Sequence, residues 1–183
     1  MALDAESFDI LLSTVQRFVR ERLVPAENHL EEHDEVPPAL VDEMKEMGLF
    51  GLTVPEEFGG IGLSVTQEVQ VNFELGRTAP AFRSVFGTNI GIGSQGILMD
   101  GTPEQKAEYL PKVAGGELIM SFALTEPDVG SDAASLKTRA DLETGSDGDH
   151  YVLNGTKRFI TNAPRAGAFT LMARTGGPGA RCP

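Results

Sequence analysis

The chain holds one cysteine, Cys182, next to its last residue, and no tryptophan. A lone thiol forms neither a disulfide framework nor a cysteine-based metal site. Histidine is almost as scarce, with only His29, His33 and His150. The first two stand four residues apart, a spacing that can hold a metal on one helix face. Glu27, Glu31, Glu32, Asp34 and Glu35 surround them without an HExxH pattern, so they read as a solvated face. Positive charge is short as well: 15 Lys plus Arg stand against 27 Asp plus Glu, a formal net charge of -12. That is a poor match for nucleic acid, which needs a basic face to neutralise its phosphates. No run approaches the ~20 apolar residues that span a bilayer. The opening MALDAESFDILL lacks the basic-then-apolar order of a secretion signal. These absences lead us to expect a cytoplasmic chain with no nucleic-acid or membrane partner and no bound metal.

What is present is enough for a core: 183 residues, 40% of them apolar, fit one domain or two small ones. Phe8, Leu11, Leu12, Val15, Phe18, Val19 and Leu23 recur at three- and four-residue steps, the stripe of a long helix that Pro25 interrupts. Pro37 and Pro38 open a second helix with Leu40, Val41, Met44 and Met47 inside, and Gly48 stops it. After the loop TVPEEFGGIG, Ser64 and Gln67 form a capping box for a third helix reaching about Arg77. A second box, Thr102 with Gln105, opens a short helix ending near Leu110. Near residue 118 the pattern changes. LIMSFALT is a short apolar run, and SLKTRADL alternates Leu136, Thr138, Ala140 and Leu142. HYVLNGTKRFI places Asn154-Gly155 between two strand-like arms, a hairpin signal, and AFTLMART is another strand. Helices first and antiparallel strands second predict an α+β chain of two segregated parts: helical over 1–117 and antiparallel β over 118–183.

Two stretches invite a chemical reading. GIGSQG at 91 to 96 fits the dinucleotide pattern G-x-G-x-x-G. That pattern has meaning only after a strand and at the start of a helix, and here it comes after helices. Its glycines point instead to tight packing or to space left for an apolar ligand. FALTEPDVGSD at 122 to 132 is a strand end running into a loop rich in backbone N–H groups and hydroxyls, which suits anions and heteroaromatic edges.

Together with VPEEFGG at 54 to 60, GTPEQKAEYLP at 101 to 111 and LNGTKRFITNA at 153 to 163, FALTEPDVGSD resembles the acyl-CoA dehydrogenase family. Four motifs in the family's order cover most of the chain. The resemblance implies a helical N-terminal domain, a middle β-barrel domain of which roughly half is present, and a C-terminal four-helix domain beyond Pro183. It also implies FAD as cofactor, α,β-dehydrogenation of an acyl-CoA thioester, electron-transfer flavoprotein as acceptor, and a homotetramer. By position, Phe122, Leu124 and Thr125 border the flavin, with Thr125 on its pyrimidine edge. Ser131 reaches the phosphate end of FAD or the CoA thioester. Phe159, Ile160 and Thr161 form the second contact, with Phe159 packed on the ring and Thr161 near N5. Many relatives carry Trp at Phe159; Phe keeps the ring but not the indole N–H donor. No catalytic residue is expected in this chain, because the family's carboxylate base lies in the C-terminal domain. Glu126 belongs to the TEP turn and reads as structural.

The residues taken singly leave plainer readings open. Thr125 caps a turn through its hydroxyl, Phe159 is barrel core, or Ser131 merely completes a Gly-Ser turn. At the level of the chain, the alternatives are a non-catalytic FAD- or CoA-binding module, a related oxidase or monooxygenase, or a helical interaction protein. Asn154-Gly155-Thr156 also fits a glycosylation sequon and reads as a turn.

Overall fold

The computed structural model describes residues 3–146 and 148–176. Helix α1 (Ala5–Phe18) opens on Asp4, whose carboxylate accepts from the Ser7 N–H at 3.0 Å. Its stripe buries Phe8, Val15 and Phe18. Pro25 breaks the helix beyond this stripe, as expected. Lacking an N–H, it cannot continue the ladder. The chain passes through a π turn, Val19–Leu23, and a 3-10 turn, Val24–Ala26, before α2 (Glu27–His33). Helix α3 (Pro38–Glu46) starts at the proline pair and buries Leu40 and Met44. Gly48 ends it in the left-handed region, φ 72°, which costs a glycine little.

Both capping boxes form. In α4 (Val65–Leu75) the Gln67 N–H donates to Ser64 Oγ at 3.3 Å, and the Ser64 N–H donates to Gln67 Oε1 at 3.0 Å. In α7 (Pro103–Ala114) Thr102 and Gln105 repeat the arrangement. Helix α7 outruns its expected end near Leu110, carrying Pro111 inside it. Proline removes one helical bond, and burial of Leu110, Val113 and Ala114 offsets the loss. Between these lie α5 (Pro80–Gly87) and α6 (Ile92–Asp100). The main core joins α1 and α3 to α4 and α5 through Val15, Met44, Val71, Leu75, Phe82 and Phe86. Each such side chain contributes about 1.5–3 kcal/mol on leaving water. A second cluster, Val54, Leu110, Val113, Ala114 and Met120, carries the packing on to the first strand.

The strands pair in twos. β1 (Met120–Ala123) pairs with β4 (Ala168–Leu171), Met120 opposite Ala168. β2 (Arg139–Gly145) pairs with β3 (Gly148–Asn154), Arg139 opposite Asn154. The α+β class and the helix-first order stand. Two details differ from expectation. The β1–β4 pair is parallel, because the chain leaves through β2 and β3 and returns in the same direction. The hairpin turn joins Gly145 to Gly148, not the arms of Asn154-Gly155. Asn154 ends β3, and Gly155 answers a close approach: a Cβ there would meet Thr138 Cα at 2.7 Å. The alternation of SLKTRADL buries Leu136, Thr138 and Ala140, then gives out at Leu142, where the hairpin projects into solvent.

Candidate functional site

Residues 157 to 162 run beside β1 and its extension, in the opposite direction. Ser121 Oγ donates to the Thr161 carbonyl at 2.7 Å. The Arg158 N–H donates to the Thr125 carbonyl at 2.8 Å. The Lys157 ammonium donates to the Leu124 carbonyl at 2.9 Å. Six of the expected site residues are thereby gathered: Phe122, Leu124, Thr125 and Ile160 half-buried, Phe159 and Thr161 exposed. Ser131 stands apart, on the exposed loop after the Glu126–Val129 turn. Among the described residues, the hydroxyls of Thr125, Ser131 and Thr161 make no hydrogen bond, so Thr125 caps no turn.

Phe159 is not core. It is 77% exposed and holds φ 58°, unusual for an aromatic residue and costly unless its neighbours enforce it. They do so from both sides. Before it, Arg158 is fixed by the Thr125 carbonyl. After it, Asn162, also left-handed at φ 63°, donates its amide to the Ser84 carbonyl at 2.8 Å and to Thr88 Oγ1 at 2.9 Å. The loop is clamped between β1 and α5 with its aromatic ring outward.

Beneath it, Glu126 is buried, with 4% of its side chain accessible, against Lys157 at 11%. Its carboxylate accepts from the Lys137 N–H at 2.6 Å, the Thr138 N–H at 2.8 Å, Thr138 Oγ1 at 2.6 Å and Lys157 Nζ at 2.9 Å. Burial alone pushes such a carboxyl up. The bonds from Thr138, the Lys137 N–H and Lys157 outweigh it and lower the group to about 2. So held, it is ionised and a poor proton acceptor. The sequence marked Glu126 as structural but missed Lys157, Ser121 and Asn162. The available signals were a polar residue inside LIMSFALT and a charged one inside a strand-like arm.

GIGSQG opens α6, with Gly91 as its N-cap, and follows α5 with no strand before it. Its glycines serve packing: a Cβ on Gly93 would meet the Thr88 carbonyl at 2.6 Å and Met120 Cβ at 2.8 Å, and one on Gly96 would meet Thr170 Cγ2 at 3.1 Å. They let α6 lie directly on β1 and β4. Beside them a groove of about 340 Å³ is bordered by Ile97, Tyr109, Met120 and Phe169. A surface cavity of about 380 Å³ at Arg17, Arg22, Glu43 and Met47 touches none of the expected site residues. His29 and His33 stack at 4.2 Å on exposed α2. Among the described residues no cluster of three or more His, Cys, Asp or Glu could hold a metal, and no helix is long and apolar enough to cross a membrane. Cys182 lies outside the described residues.

Residues 6–117 match the model of the acyl-CoA dehydrogenase N-terminal domain, and residues 121–182 that of the acyl-CoA dehydrogenase middle domain. The chain belongs to the acyl-CoA dehydrogenase family. It is 43% identical over 171 residues to (2S)-methylsuccinyl-CoA dehydrogenase of Cereibacter sphaeroides, covering 93% of this chain and 30% of that protein. In structure it is similar to an acyl-CoA dehydrogenase complexed with FAD from Bacillus anthracis, with TM-score 0.81 and 37% identity, over 94% of this chain and 29% of that one. A glutaryl-CoA dehydrogenase from Mycobacterium smegmatis in complex with FADH2 aligns with TM-score 0.83 and 34% identity, over 94% of this chain and 43% of that one. The chain thus spans less than half the length of these relatives.

Proposed function

We propose that this chain binds FAD along Phe122, Leu124, Thr125, Phe159, Ile160 and Thr161, as the flavin side of an acyl-CoA dehydrogenase acting on a CoA thioester in the cytoplasm. The observation that carries this is the clamped loop: a left-handed, outward Phe159 beside two threonine hydroxyls without partners among the described residues. Such a surface pairs one apolar ring face with polar donors at its margin, the chemistry that an isoalloxazine edge and face require. The two relatives in complex with FAD and FADH2 support the assignment.

Bound there, FAD supplies the hydride-accepting centre for α,β-dehydrogenation. The chain's own residues bind and orient. Phe159 packs on the ring, Thr125 donates at the pyrimidine edge, and Thr161 donates near N5. Ser131, on the outer loop, reaches the phosphate end or the thioester. Glu126 takes no proton from substrate, since its carboxylate is buried and its oxygens are occupied by donors from Lys137, Thr138 and Lys157, which lower its basicity. The base belongs to the family's C-terminal helical part, and the boundary between the helical and barrel domains falls at 117/118. Electron-transfer flavoprotein as acceptor and a homotetramer complete the proposal for the whole protein.

FAD titration followed by flavin fluorescence tests the reading. The chain should bind FAD, with Phe159→Ala and Thr161→Ala each weakening it at least about tenfold, or roughly 1.4 kcal/mol. Adding acyl-CoA to the loaded chain should leave the flavin oxidised. Bleaching would mean that a base lies within these residues.

A further inference from the structure

We propose that Arg158 is a positioning residue for the flavin, its guanidinium covering one face of the Phe159 ring and turning the other outward. The inference rests on the flavin reading above. Along an extended chain, neighbouring side chains point to opposite sides. At Phe159 the left-handed backbone, φ 58°, breaks that alternation. The ring comes back over its neighbour, and Arg158 Cζ lies 4.3 Å from the ring centroid. A planar guanidinium lies well on an aromatic face, drawn by the negative charge of the ring quadrupole. Its own backbone is fixed, because the Arg158 N–H donates to the Thr125 carbonyl. Among the described residues no carboxylate forms an ion pair with Arg158. Lys137, Arg139 and Lys157, by contrast, are engaged with Asp128, Asp141 and Glu126.

The ring nevertheless remains 77% exposed, so its second face is open. A cation behind the first face draws π density from the second. The open face then favours an electron-rich partner, and reduced flavin is richer in electrons than oxidised flavin. Arg158 therefore does two things: it holds the ring orientation, and it biases the bound cofactor toward its reduced form.

Two measurements on the full chain test this. In the absence of flavin, NMR of the arginine side chains should show Arg158 guanidinium protons shifted upfield by the ring, and Phe159→Leu should abolish the shift. With FAD, Arg158→Leu should raise the Kd about 2- to 30-fold, the range of a cation–π contact. It should also make the midpoint potential of bound flavin more negative, with Arg158→Lys recovering part of both. A role in folding alone would not move the potential. Wild-type Kd and potential in Arg158→Leu, alongside weakened binding in Phe159→Ala, would overturn the role of Arg158 and leave the flavin site standing. A folded chain that takes up no FAD, or a Phe159→Ala variant that binds as wild type, would overturn the flavin site and this role together.

Discussion

The buried pair Glu126–Lys157 is the point on which the two halves of the site hang. Lys157 reaches the Leu124 carbonyl and the Glu126 carboxylate at once, so one ammonium joins the TEP turn to the loop that carries Phe159. Removing one partner strands a charge in the interior, which costs about 3–5 kcal/mol. Glu126→Gln and Lys157→Met should each lower the melting temperature sharply, and substituting both with apolar residues should recover only part of the loss, because the Lys137 and Thr138 N–H groups then lack their acceptor. The pair also sets an acid limit. The folded carboxyl titrates near 2, against 4.5 for the free group. Its contribution is therefore complete above about 4.5 and is lost as pH falls toward 2. Urea midpoints measured from pH 6 to pH 3 should fall, and Glu126→Gln should flatten that dependence. Glu126 was legible as structural through the family resemblance of its TEP turn. Its partner was not, because local spacing carries no information about a contact 31 residues away.

At the scale of elements, what could be read was what local chemistry decides. Both capping boxes, the proline starts and the Gly48 stop are local, and all form. Ser64→Ala and Thr102→Ala should each cost about 1 kcal/mol in chemical denaturation. The hairpin was misplaced because Asn-Gly commonly signals a turn, and here the arm after it is taken up by β1 and its extension. Glycine served contact instead of turning, at Gly155 as at Gly93. A side chain at Gly93 must push into the Thr88 carbonyl and Met120, so Gly93→Ala should destabilise by about 1–3 kcal/mol and disturb β1. The parallel β1–β4 pairing had no sequence signal, since pattern gives strands but not their partners.

On the scale of the molecule, stability is uneven. The helical core closes over Phe50, Phe82 and Phe86, all fully buried. The β2–β3 hairpin leaves Leu142, Tyr151 and Leu153 more than half exposed. Opposite residues share a face, so these three form an apolar side with little covering it. A two-stranded hairpin is marginal alone. Hydrogen exchange should find β2 and β3 amides opening well before those of α5. The expected site lies between these extremes, joined to the stable part by the Asn162 amide on Ser84 and Thr88. That tether sets how a cofactor arrives. A loop already held in shape needs no slow rearrangement before docking. In stopped-flow mixing, the rate of FAD uptake should rise in proportion to FAD concentration without levelling off. Asn162→Ala should introduce a plateau, the mark of a loop that must first find its form.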